Sequence, residues 1–281
     1  MTTYAEYGAQ ADAQIAALTA ELYACQHPTP PPLSWFVGVS AGPSIAEQLA
    51  KWGPVPLRVF YGGRGLGVDV LPHGGCASWN PTLNAMGGLS AADLSAVVAW
   101  AKAQTQPVSL AGWHELDVKK QAGQAVPTLA QFGAMNVQLR SLMTAYPLVT
   151  VRAIFGAHLL VAPVGYGNVA AYLAALPAGF PLGFDFDGSR PTALPYTDYA
   201  ANIANFTTIA AAHPDITVPE FGVPQVSDDP SGASLAAWLL LNAGKLRTAG
   251  ARAVYLFDTA PEGPLVPGSL PFTAYKQIIA G

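Results

Sequence analysis

Charged side chains are scarce in this 281-residue sequence: Asp, Glu, Lys and Arg together make up 11%, and 13 basic against 17 acidic residues leave a net charge of −4. No Lys/Arg cluster stands out, which argues against a nucleic-acid partner held by counterion release. Long apolar runs are missing too. Mean hydropathy is +0.30, yet Gly, Pro or a polar residue cuts every apolar run well short of the roughly 20 residues a spanning helix needs, so no membrane insertion is expected. The N-terminal MTTYAEYGAQADAQ has neither a basic start nor an apolar core, and no secretory signal is read there. Cys25 and Cys76 are the only cysteines, too few for a disulfide framework and without zinc spacing. The five histidines are scattered and no H-E-x-x-H motif occurs, so neither a metal nor another cofactor is expected.

What the sequence has in quantity is apolar material, 51% of its residues, enough to fill a sizeable core. Ile15, Leu18, Leu22 and Cys25 fall at helical spacing, and Pro28-Thr29-Pro30-Pro31-Pro32 then stops the helix and acts as a stiff spacer. Residues 1–33 therefore read as an appendage to a domain over 34–281. The helix is either a self-association stalk or packs on that domain; one short apolar stripe does not decide.

From residue 34 onward short β-rich runs alternate with helical ones. Strands are expected at 35–40, 57–61, 75–79, 108–113, 149–155, 182–186, 216–221 and 253–257. Helices are expected at 44–52, 91–104, 129–146, 169–176, 196–213, 231–248 and 272–279, with the second unit lacking a clear one. Such alternation predicts a parallel sheet covered by helices, and eight units over 34–281 match the roughly 250 residues of a (β/α)8 TIM barrel.

In such a barrel the active site lies at the C-terminal strand ends. The six glutamates are Glu6, Glu21, Glu47, Glu115, Glu220 and Glu262. Glu115 follows the fourth strand and Glu220 ends the seventh, on opposite sides of the ring. Carboxyl groups there can face one another across the mouth, as glycoside hydrolysis requires: one protonates the leaving oxygen, the other attacks or directs water. Glu115 stands in Gly112-Trp113-His114-Glu115, where an indole and an imidazole can desolvate and hydrogen-bond the acid. Glu220 stands in the apolar Val218-Pro219-Glu220-Phe221-Gly222. The expected substrate is a polysaccharide. Trp79, Trp113, Phe155 and Tyr166 are candidate platforms for sugar faces. Asp185, Asp187, Arg190 and Asp258, at strand ends, are candidates for binding hydroxyls, and His158 for lining the site after strand five.

These residues resemble the clan A glycoside hydrolases, and His114-Glu115 in particular resembles family 26, the endo-β-mannanase family, whose acid/base glutamate follows a histidine. The 105-residue interval from Glu115 to Glu220 suits that family, and Gly183-Phe184-Asp185-Phe186-Asp187 is similar to its strand-six stretch. The resemblance implies a retaining mechanism with Glu115 as acid/base and Glu220 as nucleophile. The chain departs from the pattern where Leu116-Asp117 replaces Met-Asn-Gly, where strand six lacks a terminal tyrosine, and where Phe257-Asp258 stands in place of a tryptophan.

Two other readings stay open. Gly38-Val39-Ser40-Ala41-Gly42 matches the G-x-S-x-G elbow of a serine esterase, but His73-Gly74-Gly75 follows the serine instead of preceding it, and two strand-helix units follow the last histidine, His213. A non-catalytic carbohydrate-binding or structural module, virion-associated or extracellular, is the other. The appendage, the proline spacer and the envelope-type chemistry suggest a phage tail or prophage component.

Overall fold

A computed structural model describes residues 36–40, 44–61, 66, 69–186, 191–258 and 265–281, the side chains of residues 36, 37 and 40 excepted. The expected appendage, Asp187, Arg190 and Glu262 lie outside these residues, as does the Ser40 side chain.

Among the described residues run nine strands: β1 Phe36–Ser40, β2 Leu57–Tyr61, β3 Gly75–Trp79, β4 Val108–Gly112, β5 Val149–Val151, β6 Ala153–Gly156, β7 Leu182–Asp185, β8 Ile216–Phe221 and β9 Ala253–Leu256. Their order is β5-β4-β3-β2-β1-β9-β8-β7-β6, and every pairing is parallel. Since β5 and β6 are successive pieces of one stave parted only by Arg152, the ring closes through the chain itself. The result is the expected eight-staved (β/α)8 barrel, with stave five split: its lower piece pairs with β4 and its upper piece with β7.

Helices α1 Ile45–Trp52, α2 Ala91–Ala103, α3 Leu116–Gln121, α4 Leu129–Met143, α5 Val169–Ala174, α6 Ala200–Ala212, α7 Ala233–Thr248 and α8 Leu270–Ala280 follow the staves, none of them after β2 among the described residues and two, α3 and α4, after β4. Their starts are chemically marked. Ser44, Ser90, Asn168 and Ser269 each accept an amide of the first turn, and Thr128 forms a reciprocal capping box with Gln131. Two elements differ from the sequence reading. α3 is an additional helix. α6 begins at Ala200 instead of 196, because the Tyr196 hydroxyl donates to Asp229 and accepts the Val226 amide, which draws that segment onto the loop before α7.

The larger core fills the layer between ring and helices, with Trp52, Trp100, Phe132, Phe155, Tyr172, Phe184 and Phe206 among its buried side chains. A smaller one, Cys76, Ala111, Ile154, Ala253 and Tyr255, plugs the barrel interior. Gly38 makes that plug possible, since a Cβ there would come within 2.5 Å of the Tyr255 ring. Below it, Arg152 bonds the Leu182 and Asp215 carbonyls and the Asp215 carboxylate.

Candidate active site

β2 carries a charge into the barrel. Arg58 is completely buried, and its Nη1 donates to the Ser78 hydroxyl and, at 3.3 Å, to Cys76 Sγ on the inward face of β3. Its Nη2 lies 3.6 Å from Glu220 Oε1, while Nη2 and Nε have no hydrogen-bond partner. Burial works against this charge, but Cys76, Glu220, Asp185 and Tyr255 around it outweigh burial and hold the guanidinium above its ordinary range. Glu220 (3% exposed) and Asp185 (1%) thus share a buried neighbourhood with a permanent cation. The Glu220 carbonyl accepts the Phe186 amide at 2.6 Å, which ties the end of stave seven to stave six.

Opposite, β4 ends at Gly112 and the chain turns sharply. Trp113 and Glu115 both lie in the left-handed region, with φ of 52° and 51°, a conformation that costs a non-glycine residue about 1–2 kcal/mol. The turn is pinned from three sides. The Trp113 amide donates to the Trp79 carbonyl at 2.8 Å, the Trp113 indole to the Pro81 carbonyl at 3.0 Å, and the Glu115 amide to the Ile154 carbonyl at 2.8 Å. Glu115 is half-buried at the N-terminus of α3.

α3 takes over from β4 beside the upper half of stave five. Ile154 of β6 is bonded by Glu115, and the Gly156 amide donates to the Asp117 carboxylate at 3.1 Å. Gly156 has no room for a Cβ, which would meet His158 and Val118. Burial pushes the Asp117 carboxyl up to about 6, although amide hydrogen bonds and the Lys119 charge oppose it. One turn on, the Lys119 ammonium reaches back to the His114 carbonyl and lies 3.5 Å from His114 Nε2. Burial lowers its pKa while Glu115, Asp185 and Glu220 pull it upward, so one ammonium is within electrostatic reach of all three carboxylates. Burial, Lys119 and Arg58 hold the His114 imidazole well below its usual range, so the ring, packed 5.4 Å from Phe60, is neutral.

The structure therefore gathers Glu115, Glu220, Asp185, His114 and Trp113 at the C-terminal mouth. His158, half-buried, follows stave five at the same end. Four expectations need correction. Trp79, 1% exposed, faces the helices from the outward register of β3 and offers no face to a sugar; Phe155 is likewise core. Asp258 is an anchor: its Oδ2 accepts Lys51 Nζ and Trp52 Nε1, both at 2.7 Å, and its Oδ1 the Leu265 amide. Tyr166 lies on the outer side of α3, its hydroxyl bonded to the Pro127 carbonyl and its ring under Lys120. Arg58 and Lys119 were missed. A signal existed for each, since Arg58 is a charge inside an apolar strand and Lys119 stands four residues after Glu115 on a helix.

Among the described residues no group of three or more His, Cys, Asp or Glu side chains could hold a metal ion, and no helix is long and apolar enough to cross a membrane.

Ring closure and eight staves define a (β/α)8 barrel, with polar side chains at its C-terminal mouth. No family model and no curated protein matches the sequence. Among solved structures the chain is similar to the exo-β-1,4-mannosidase Op5Man5 from Opitutaceae bacterium strain TAV5, with a TM-score of 0.52 and 12% identity, over 87% of this chain and 58% of that one. It shares 11% identity with SrfJ from Salmonella typhimurium, over 72% of this chain and 64% of that one, but at a TM-score of 0.40 that likeness bears no argument. The chain spans less than two thirds of either. The barrel is thus one that a glycoside hydrolase also uses.

Proposed function

We propose that this protein is a retaining, endo-acting glycoside hydrolase of a β-linked polysaccharide, with Glu115 as acid/base and Glu220 as nucleophile. The observation that carries this reading is the placement of Glu115, just after β4, and Glu220, near the end of β8, at one C-terminal mouth, with the Lys119 ammonium within electrostatic reach of both. The barrel shared with a mannosidase supports the reaction class, and His114-Glu115 supports the family 26 pattern.

In the first step Glu220 attacks the anomeric carbon while Glu115 gives its proton to the glycosidic oxygen, and the aglycone departs as an alcohol. In the second, Glu115 as carboxylate takes a proton from water, which displaces Glu220 from the glycosyl ester. Arg58 favours the ionised, attacking form of Glu220. Asp185 and the partly exposed Trp113 are suited to a hydroxyl and a sugar face.

Incubation with mannan, mixed-linkage glucan, xylan and bacterial envelope glycans should release oligosaccharides from one of them, with mixed lengths marking endo action. Glu220→Ala should lower turnover by several orders of magnitude on every substrate, with partial rescue by azide and an inverted product. Glu115→Ala should lose most activity on poor leaving groups and much less on activated aryl glycosides. Ser40→Ala should leave turnover unchanged. Binding without cleavage by the intact protein would favour the carbohydrate-binding alternative, and loss of activity in Ser40→Ala alone would favour the esterase.

A further inference from the structure

Two left-handed residues flank His114, and its carbonyl receives the ammonium of Lys119 from the next helical turn. The amides of Trp113 and Glu115 hold the turn to β3 and β6, but Lys119 alone among these partners brings a charge. We propose that Lys119 is the positioning residue of the acid arm: its ammonium, bonded to the His114 carbonyl, locks the double left-handed turn and presents a positive charge to Glu115 at the barrel mouth. This rests on the reading of Glu115 as the acid/base and adds a residue that controls it.

The chemistry follows from the surroundings. Around the arm stand His114 and Asp117 on its own segment, Arg58 from β2, His158 after β6, Asp185 from β7 and Glu220 from β8. Asp185 and Glu220 favour the protonated form of Glu115, as an acid needs. An ammonium opposes such an effect, so under this proposal Lys119 lets Glu115 serve as base in the second step as well as acid in the first. Arg58 lies deeper, beside Glu220, and is no substitute. A merely structural Lys119 would hold the turn and leave the Glu115 titration where it is.

Glu115 can be followed without any substrate, because the chain holds only six glutamates. With 13C-carboxyl glutamate, and Glu115→Gln to assign the signal, its midpoint should rise by about one unit or more in Lys119→Met. Lys119→Arg should return it close to the starting value. Lys119→Gln, which keeps a donor for the carbonyl but drops the charge, should raise the midpoint with the Glu115 amide still protected from exchange. Activity on poor leaving groups should fall roughly tenfold or more in Lys119→Met while activated aryl glycosides are spared. An unmoved Glu115 midpoint in folded Lys119→Met and Lys119→Gln overturns the proposal whatever the activity. A midpoint that moves in a protein that cleaves no glycan keeps the role of Lys119 and removes the hydrolase reading.

Discussion

Arg152 and Arg58 are both buried in the barrel, one toward each end, and their surroundings differ in kind. Arg152 is bonded through every nitrogen: to the Leu182 and Asp215 carbonyls, to the Asp215 carboxylate, and to the Ser109 hydroxyl at 3.4 Å. Arg58 bonds a hydroxyl and a thiol through one nitrogen, faces Glu220 at 3.6 Å through a second, and leaves two without a hydrogen bond. A buried donor left unbonded costs about 1–3 kcal/mol, so a site retains one only where something else benefits. The saturated arginine closes the floor; the unsaturated one lies beside Glu220 and Asp185 at the mouth where the proposed chemistry would take place. This division repeats, at the level of two side chains, the separation of stability and chemistry between the ends of such barrels.

The comparison can be broken most directly by replacing each arginine with methionine. Arg58→Met should lower kcat/KM by at least about a hundredfold at neutral pH, because Glu220 loses the cation that favours its ionised form. Arg152→Met should instead lose about 2–4 kcal/mol of stability, read by urea unfolding, since two carbonyls and a carboxylate lose a charged donor. Equal destabilisation by both, with activity retained in Arg58→Met, would dissolve the distinction.

The smallest effect sharpens it. The Asp117 carboxyl, pushed up to about 6 by burial, is raised relative to the unfolded chain. Its contribution to stability is therefore fully present only below about pH 4 and is lost as pH rises from there through about 6. Asp117→Asn, which can still accept the Gly156 amide, should flatten that part of the Tm profile and raise Tm at pH 7 to 8. A wild-type profile that climbs across that interval and is unaltered by Asp117→Asn would mean that the carboxylate is charged where it sits.

The eight-unit alternation was legible because strand and helix runs differ in length and period. The break in stave five was not, since 149–155 reads as one β-rich run with an arginine inside it, and only the tertiary bonds of Arg152 show that the pairing changes there. α3 escaped notice because Leu116–Gln121 is short and mixes three charges with no apolar stripe. Scarcity pointed to Glu115 and Glu220, and the same reasoning applied to cations reaches Arg58. Trp79 and Asp258 show what position at a strand end leaves out. Cys76 and Ser78 turn inward to Arg58, so Trp79, one residue on, must turn outward. Asp258 ends its stave correctly but meets Lys51 and Trp52 of α1 first.

Because stave five is divided at Arg152, the ring has a line of parting. Its lower piece is zipped to β4 and its upper piece to β7, and above Arg152 the β4 side is latched by two contacts of the arm that bears Glu115: its amide to Ile154 and Asp117 to Gly156. Glu115 therefore stands on one flank of the seam and Glu220, on β8, across the other. The proposed retaining mechanism asks for about 5–5.5 Å between the two carboxyl groups, against about 6.5–9.5 Å in an inverting enzyme. Retention in the released sugar would thus report that the latch holds the arm bearing Glu115 close to Glu220 across the seam.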